Sequence, residues 1–504
     1  MEDVEDEEDE PEYETVVHEV WDWELINTVQ PIWTRSKDDI DDDEYAKFYQ
    51  TLSGSSGDPQ ARIHFAAEGE LDFKSILFIP DKAPSNMFQN YGQKLKNISL
   101  YVRRVFITDD FEDILPKYLS FIVGMVDSDN LPLNVSREML QQHKMLKTIK
   151  KKLTRKCLEM IKNIGRVRGI SEDDEGYEEA VAAAKEDYMT FWSEFGTNIK
   201  LGLIEDTANR TKLAKLLRFH SSKAGGPEEM TSLAEYVERM HEGQDHIYYL
   251  AGDSVEEVES SPYLEVLLKR GYEVLYLVDP VDEYAASSLP EFDGKKLQNA
   301  AKEGLDLGEG LTDKDDDEAL EAEFADLTLW LKLKLADKIE KVVLSRRLYD
   351  SPAALISGHF GYSPAMKKVM TSQALASNDA SANFFLNAKL NLHINPRHPL
   401  IKELNARAGE DEDDAVAAEM AQLLYDSAAL GTGYEVDSPK DFAQRVYKFM
   451  MLGLDIDPDT PVEEPDFSTP VEDDDDADAD DVDLEEEEEI DAEDDAASDA
   501  HDEL

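Results

Sequence analysis

The stretch Leu131-Pro-Leu-Asn-Val-Ser-Arg-Glu-Met-Leu-Gln-Gln142 marks the place where the sequence changes from a strand pattern to a long helical one. Beyond it, apolar side chains recur mostly three or four positions apart, which places them on one face of a helix. These positions are Met139, Leu146, Ile149, Leu153, Cys157 and Met160. The pattern predicts a helix from about Arg137 to Ile164, with Ser136 as its N-cap.

Apolar runs precede this stretch, separated by clusters of Pro, Gly and Asn. They predict strands at Ala61–Ala66, Phe73–Ile79 and Leu100–Ile107. Strands combined with long amphipathic helices are typical of layered α/β domains. The sequence therefore predicts a sheet covered by helices.

Arg137 lies in the first turn of the predicted helix, where the helix dipole favours acidic side chains. An arginine departs from this rule, and such departures are expected where function requires them. Together with the free backbone N–H groups of the helix start, its guanidinium would form a site suited to phosphate. The local sequence leaves a second interpretation open, a surface arginine that reaches back to a neighbouring carboxylate.

A smaller alternation of strands and helices follows. Ile247–Ala251 predicts a strand, Pro262–Arg270 a helix that ends at Gly271, and Glu273–Val278 a second strand. This order is that of a βαβ unit, in which Gly271 supplies the C-terminal turn of the helix. The acidic, Ala-rich residues 172–186 predict a helical or loop insertion.

The Gly- and Asp-rich residues 303–318 indicate a domain boundary. A strongly helical region is predicted from about Glu318, with two later amphipathic helices at Asp414–Leu430 and Asp441–Leu452. The apolar positions of the first of these regions are Leu320, Phe324, Leu327, Trp330, Leu331, Leu335, Ile339 and Val343.

The formal charge of −62 is concentrated at the two ends of the chain. Residues 1–14 hold ten acids and residues 455–504 hold 27, without a Lys or Arg in either. An acidic protein repels nucleic acids, so we expect no nucleic-acid partner. The single cysteine, Cys157, excludes an intrachain disulfide and a cysteine zinc cluster. No apolar run is long enough to span a bilayer, so no membrane insertion is expected.

The last four residues, His501, Asp502, Glu503 and Leu504, match an endoplasmic-reticulum retrieval signal and predict a luminal protein. The opening residues carry no signal peptide, and we expect an N-terminal portion to be missing from this sequence. In that compartment the sequons at Asn97 and Asn209 are expected to carry glycan. A third sequon at Asn134 is expected to remain unused, because a glycan there would crowd Arg137.

The quoted stretch and the run Leu100–Asp109 resemble the ninety-kilodalton heat-shock chaperone family, and further segments resemble its endoplasmic-reticulum branch. These are Val20–Asn27, Phe195–Gly202, Pro280–Tyr284, Leu289–Gly294 and Ile394–Leu400. The resemblance runs in order over about residues 15–456. Nothing in the sequence resembles the family's N-terminal nucleotide-binding domain.

The resemblance implies an α/β middle region of layered αβα subdomains, followed by a mainly helical α+β C-terminal dimerisation domain, between acidic disordered tails. The implied parts are an acidic linker (1–14), the large middle subdomain (15–165), connecting helices with a small βαβ subdomain (166–305), the dimerisation domain (316–456) and the tail (457–504). Homodimerisation is implied for Leu423, Leu424, Phe442, Val446 and Phe449.

By resemblance, Arg137 reaches the γ-phosphate of ATP, which is bound with Mg²⁺ in the N-terminal domain, much as an arginine finger does. Gln141 supports this contact and Asn134 belongs to the loop that positions it. Trp33, Met366 and Met370 match client-contacting positions of the family. From the sequence alone, Trp33 could equally be a core anchor and the methionines core filling.

The function implied is that of a luminal chaperone whose ATPase cycle opens and closes a dimeric clamp. Its partners would be unfolded or maturing secretory and membrane proteins, a second copy, co-chaperones and the retrieval receptor. An ATP-independent acidic holdase or low-affinity calcium buffer remains the alternative. The acidic tail could bind calcium weakly, but no EF-hand loop predicts an ordered metal site.

Overall fold

The computed structural model describes residues 30–69, 72–84, 87, 97–109, 114–131, 143–167, 169–171, 173–226, 229–307, 314–359, 361–376, 386, 388–458 and 460–462. The chain divides into two compact units, Met1–Arg445 and Val446–Leu504. The mixed α/β class expected from the sequence is confirmed, with strands and helices throughout the first unit.

The first sheet of the larger unit has the order β1-β2-β5-β3-β4. Its strands are β1 (Ala61–Ala67), β2 (Phe73–Ile79), β3 (Ile98–Val102), β4 (Val105–Thr108) and β5 (Val123–Ser128). The pair β3–β5 is parallel and the other pairs are antiparallel. The outermost strands β1 and β4 each have only one neighbouring strand in this sheet.

Both faces of this sheet are covered, because β2 is apolar on both sides. On one face, Ile76 and Phe78 pack with Trp33 and with helix α1 (Asp42–Ser53). On the other face, Leu77 and Ile79 pack into the largest core. That core includes helix α2 (His143–Ile164) and helix α3 (Tyr177–Glu205). This arrangement agrees with the predicted sheet covered by helices.

The run Leu100–Ile107, predicted as a single strand, contains a hairpin. Arg103 and Arg104 form its turn with φ values of 51° and 64°. A two-residue hairpin turn with positive φ at both positions is usually built from Asn and Gly. Two arginines carry no such signal, and the sequence prediction therefore missed the turn.

Residues 177–186 of the segment expected to be a helical or loop insertion form the start of α3, a helix of 29 residues, which agrees with the helical alternative. Its second part is buried in the core, where Phe195 stacks on Phe121 with ring centroids 4.2 Å apart. Gly202 lies on the same helix against the ring of Tyr118. A Cβ at Gly202 would come within 2.6 Å of that ring. The helix can approach this tyrosine only because residue 202 has no side chain.

The second sheet has the order β6-β8-β7-β10-β9. Its elements in chain order are α4 (Arg210–Ala214), β6 (His220–Ser221), α5 (Leu233–Glu238), β7 (His246–Ala251), α6 (Val255–Glu259), α7 (Glu265–Lys269), β8 (Val274–Leu277), α8 (Asp282–Ser288), β9 (Glu291–Phe292) and β10 (Lys295–Asn299). Strands β7 and β8 are parallel, which confirms the predicted βαβ unit. Gly271 follows its helix with φ +75°, as expected of a C-terminal turn.

The third sheet has three strands in the order β11-β13-β12. The elements of this region are α9 (Lys314–Glu323), α10 (Ala325–Lys334), β11 (Ile339–Leu344), β12 (Ala353–Ile356), α11 (Pro364–Ala376), β13 (Leu390–Ile394), α12 (Pro399–Glu410), α13 (Ala415–Gly431) and α14 (Pro439–Gly453). The last two confirm the predicted late helices. Helix α14 crosses from the first compact unit into the second.

One helical prediction in this region was wrong. Ile339 and Val343 continue the apolar pattern of α10, but they belong to β11. Val343 pairs with His393 of β13, which lies fifty residues further along the chain. The β-branched side chains favour a strand once such a partner is present, and periodicity alone does not reveal it.

The described part of the second unit comprises the end of α14 and the residues that follow it, up to residue 462. Tyr447, Met450 and Leu454 are 62%, 59% and 71% exposed there. The backbone N–H of Leu454 donates to the carbonyls of Met450 and Met451, which ends the helix.

Two glycines in helices offer a matched test of the core. Gly202→Ala would press a methyl group onto Tyr118, so we expect it to lower the free energy of unfolding by about 1–3 kcal/mol. Gly409→Ala meets open space in α12, and because alanine favours helix we expect a gain of up to ~1 kcal/mol. Chemical denaturation of both variants measures the difference. Equal effects of the two substitutions would contradict the close approach at Tyr118.

Candidate functional site

Three predicted catalytic residues, Asn134, Arg137 and Gln141, lie outside the described residues. The structure does describe the two ends that flank them, β5 with residues 129–131 on one side and α2 from His143 on the other. Leu131 is buried with 4% of its surface exposed. The chain on the N-terminal side of the candidate segment is therefore fixed in the core.

The end of β5 is held by hydrogen bonds to two neighbouring segments, the hairpin turn at Arg103 and the residue Asp72. The guanidinium Nε of Arg103 donates to the carbonyl of Asp129 at 3.1 Å. The Ser128 hydroxyl donates to the carbonyl of Asp72 at 2.8 Å, and the Asn130 amide donates to the Asp72 carboxylate at 3.3 Å. The hairpin turn that the sequence analysis missed thus stabilises the approach to the candidate catalytic segment.

Trp33 is a buried member of the same neighbourhood. Its side chain is 8% exposed, and its indole N–H donates to Asp127 at 2.8 Å. The ring packs against Tyr101 and Phe48, with centroids 5.0 and 5.9 Å away. This placement favours the core-anchor interpretation, and a client contact by Trp33 stays a prediction.

Asp127 is a functional candidate that the sequence analysis did not single out. It is 7% exposed and accepts a second hydrogen bond, from the backbone N–H of Arg104 at 3.2 Å. One buried carboxylate therefore joins Trp33, the hairpin turn and the strand that leads to the candidate catalytic residues. The sequence shows only an ordinary Asp-Ser-Asp run, without any signal for this role.

The two predicted client-contacting methionines lie on α11. Met366 is buried with 9% exposed, and the Sδ atom of Met370 accepts a hydrogen bond from the Tyr284 hydroxyl at 3.3 Å. Met366 also lines a cavity of about 350 Å³ at the ends of β7 and β8, together with Lys368. A client contact by these two methionines stays a prediction.

A buried ion network connects α3 with the start of α8. The ammonium of Lys200 lies 2.6 Å from Asp282 and 3.3 Å from Asp279. Lys200 is 7% exposed and Asp282 is 2% exposed. Burial raises the pKa of Asp282 to about 6, although the neighbouring Lys200 acts in the opposite direction.

The next residue along, Glu283, connects α8 with α11. Its buried carboxylate accepts hydrogen bonds from the Ser363 hydroxyl at 2.5 Å and from the Asn299 amide at 2.9 Å. Burial raises the pKa of Glu283. The Ser363 hydroxyl also accepts from the backbone N–H of Met366 at 3.2 Å, so Glu283 fixes the first turn of α11.

The predicted dimerisation residues are divided between different surroundings. Leu424 is buried in the core of the third-sheet region, and Leu423 is half-buried. Phe442, Val446 and Phe449 are half-buried on α14, a helix without a fully buried side chain. The last two belong to the second compact unit.

The glycosylation candidates have engaged side chains. The Asn209 amide donates to Asp206 at 2.8 Å, and the Asn97 amide donates to the carbonyl of Ser120. The retrieval residues His501 to Leu504 lie outside the described part. Within the residues that the structure covers, no group of three His, Cys, Asp or Glu is placed to hold a metal ion. No described helix is long and apolar enough to cross a membrane.

Comparison with known proteins places these features in a family. The sequence matches the family described as Hsp90 protein over residues 1–483. The chain belongs to the Hsp90 family. This result agrees with the resemblance of the quoted stretches.

Three relatives with the same printed name show how similar this chain is to other proteins and how much of their length it covers. The "Endoplasmin homolog" of Caenorhabditis elegans is 50% identical over 445 residues, which is 88% of this chain and 56% of the relative. Those of Hordeum vulgare and Arabidopsis thaliana are each 46% identical, over 90% and 88% of this chain and 56% and 54% of the relatives. The chain thus spans about half the length of the curated relatives it matches.

Two of the segments that carry the Hsp90 resemblance contact each other. Lys200 belongs to the run Phe195–Gly202, and Asp282 and Glu283 belong to Pro280–Tyr284. Glu283 in turn binds Ser363, the N-terminal neighbour of α11. The sequence analysis used these runs only as markers of the family. The buried lysine of one run needs the carboxylates of the other, which is a physical reason why both residue types occur in these runs.

The ion network generates a pH prediction. The folded pKa of Asp282, about 6, lies above its unfolded value of about 4, so the folded chain binds this proton more tightly. The stability that protonation of Asp282 contributes is present in full below about pH 4 and is lost as the pH rises through 6. The stability of Asp282→Asn minus that of the parent chain should therefore increase by roughly 2–3 kcal/mol as the pH rises from 4 to 7.5, whatever the size of this difference at pH 4.

Denaturant unfolding of both proteins at several pH values measures this difference. Asp337→Asn serves as the control, because that carboxylate is exposed and makes no ion pair among the described residues. A difference between Asp282→Asn and the parent chain that is constant with pH would show that the carboxyl group does not titrate in this range.

A second prediction concerns Asp127. Both partners of its carboxylate are N–H donors, so the amide of Asp127→Asn can accept from only one of them and turns its own N–H₂ toward the other. We expect a loss of about 1–3 kcal/mol in stability and a changed Trp33 fluorescence. Denaturation and emission spectra measure the two effects, with Trp33→Phe as reference. An unchanged Trp33 emission in Asp127→Asn would contradict the assigned hydrogen bond.

Proposed function

We propose that this chain is the client-handling part of a chaperone of the endoplasmic reticulum lumen, and that it completes an ATPase site in a nucleotide-binding domain outside these residues. ATP hydrolysis would drive opening and closing of a homodimeric clamp around unfolded or partly folded secretory proteins. The observation that carries the proposal is 46–50% identity to three proteins named "Endoplasmin homolog" over nearly nine-tenths of the chain.

The catalytic part of the proposal rests on Arg137, with Gln141 and Asn134 as its support. ATP and its Mg²⁺ would be held by the other domain, and Arg137 would stabilise the charge that develops on the transferred phosphate. The described flanks favour this role, because β5 and residues 129–131 are held by hydrogen bonds from Arg103, Ser128 and Asn130. A positioned cation needs such support, since small displacements are costly in catalysis.

The client-binding part rests on α11. Methionine side chains adapt to many partner shapes, which suits a surface that must accept diverse clients. Met366 and Met370 are largely packed against the preceding region, so we propose that clients bind when the first turn of α11 moves away from Glu283. Trp33 would contribute to clients only after its bond to Asp127 is broken.

Assembly and location complete the proposal. The partly buried apolar face of α14, with Phe442, Val446 and Phe449, is proposed to pair with a second copy together with Leu423. Leu424, which is buried in the core, would support this pairing without contacting the second copy. The terminal His501 to Leu504 sequence would be read by the retrieval receptor and would keep the protein in the lumen. There, Asn97 and Asn209 are proposed glycan acceptors.

The test is to supply the nucleotide-binding domain of one of the relatives, fused to this chain, and to measure ATP hydrolysis. We expect Arg137→Ala to lower kcat about 10³-fold or more, the range seen for arginine fingers, with little change in KM because other residues bind the nucleotide. Arg166→Ala, which replaces an exposed arginine just beyond the end of α2, is the matched control and should leave kcat unchanged.

Two outcomes would count against the proposal. Full hydrolysis by Arg137→Ala would remove this residue from the mechanism. Suppression of client aggregation at the same level with and without ATP, and in the Arg137→Ala variant, would favour the ATP-independent holdase. Weak calcium binding by the chain, measured by titration, would support the buffer alternative only if it accompanied that result.

A further inference from the structure

Helix α2 carries an unusual concentration of positive charge for this chain. Between residues 143 and 164 there are eight Lys or Arg and a single acid, Glu159, whereas the whole chain has 113 acids and 51 bases. The inward face of the same helix is fully buried through Ile149, Leu153 and Cys157. None of the described basic side chains of α2 is buried, so they lie outside this apolar face.

Three of these side chains form an exposed row, Lys147, Lys151 and Arg155, spaced four residues apart. We call them the basic row. Like charges at this spacing destabilise a helix by about 0.2–0.5 kcal/mol per pair. Among the residues that the structure describes, none of the three forms an ion pair. By contrast, Lys152 donates to the carbonyl of Glu68 at 3.3 Å, and Lys156 pairs with Glu159 at 2.9 Å.

We propose that the acidic residues 1–14 of the same chain dock on the basic row. This segment has ten acids and no base, so its charge is complementary to the row. Docking would relieve the repulsion between Lys147, Lys151 and Arg155 and reduce the repulsion within the acidic segment. The excess of acids makes nucleic acid an unfavourable occupant, because the chain as a whole repels phosphate.

The length of the connection permits this contact. Residues 15–29 join the acidic segment to the described fold and can extend over roughly 50 Å. The described chain begins at Gln30, and Trp33 packs on one face of the first sheet while α2 packs on the other. A helix packed on a sheet lies about 10 Å from it, so a linker of this length reaches around the edge at β1.

A second acidic region, residues 463–504, is the competing occupant. Residues 1–14 are joined to the described fold by the short segment 15–29, and the first sheet of that fold carries α2. A short tether gives a segment an effective concentration in the millimolar range at a surface it can reach. This tether favours residues 1–14.

Docking would have a regulatory consequence that is independent of the proposed ATPase role. While residues 1–14 cover the basic row, other acidic partners must displace them, so the segment acts as an intrachain competitor. Because the contact is electrostatic and exposed, it weakens steeply with salt. The acidic segment would therefore set the affinity of this surface for every other polyanion.

The test is zero-length carbodiimide cross-linking of the full chain, which joins a carboxylate to an amine in contact with it. Residues 1–34 contain no Lys or Arg, so trypsin releases them as one peptide whose attachment to Lys147 or Lys151 is identified by mass spectrometry. We expect the yield to fall about fivefold or more between ~20 mM and ~500 mM salt, as the Debye length shrinks from about 20 Å to about 4 Å. A mixture of isotopically labelled and unlabelled protein distinguishes links within one chain from links between two copies.

Two variants make the result specific. The charge reversal Lys147→Glu, Lys151→Glu and Arg155→Glu should abolish cross-linking of residues 1–14 to α2. Reversal of the exposed bases Lys215, Lys402 and Lys440 changes the net charge equally and should leave it intact. If the first variant fails to fold, replacement of the ten acids by amides leaves α2 unchanged and should increase the acetylation rates of Lys147 and Lys151.

Several results would overturn the proposal. These are the absence of a cross-link between residues 1–14 and the basic row at low salt, links that form only between copies, and links from residues 463–504 in place of residues 1–14. Unchanged acetylation rates of Lys147 and Lys151, after the ten acids of residues 1–14 are replaced by amides, would also contradict the proposal. None of these measurements involves nucleotide, so they succeed or fail separately from the role proposed for Arg137.

Discussion

Lys200 is a buried cation between two carboxylates, and its neutralisation constrains how α3 and the second sheet fit together. A lysine with 7% of its surface exposed is unstable without partners, because desolvation of an ammonium costs several kcal/mol. Asp282 and Asp279 supply that partner charge from the start of α8. Loss of either partner of a buried pair typically costs about 3–5 kcal/mol. The position of α8 is thus dictated by α3.

The position of α8 determines that of α11 in turn. Glu283 follows Asp282 directly and accepts the Ser363 hydroxyl, which also fixes the first turn of α11. Tyr284, the next residue, donates to Met370 one turn further along that helix. Three consecutive side chains therefore connect the core helix α3 with the helix proposed to contact clients. Such a chain of buried polar contacts has few alternative arrangements, since each unpaired group would be costly.

The two functional proposals differ in the forces on which they depend. The role of Arg137 requires a fixed flank, and the hydrogen bonds at the end of β5 supply one. The docking of residues 1–14 requires only complementary charge on an exposed surface, where pairs are individually weak and salt-sensitive. The first is therefore a question of geometry, and the second of ionic strength and competition.

Much of this fold follows from local sequence. Periodicity located α2, the βαβ unit and the late helices, because amphipathic faces and Gly271 are short-range signals. The run Leu131–Gln142 and the segments of similar type were sufficient to indicate the family, and the charge of the two ends could be read directly.

Other features depend on partners that are distant in the chain. The strand β11 was mistaken for helix because its partner β13 lies about fifty residues away. The turn at Arg103 and Arg104 carries no turn residues, and the sequence analysis assigned no helix to the buried second part of α3. Asp127, Lys200 and Glu283 look like ordinary surface charges in the sequence. Only tertiary structure buries them, and burial is what converts a charged side chain from a solvated group into one that fixes its neighbours.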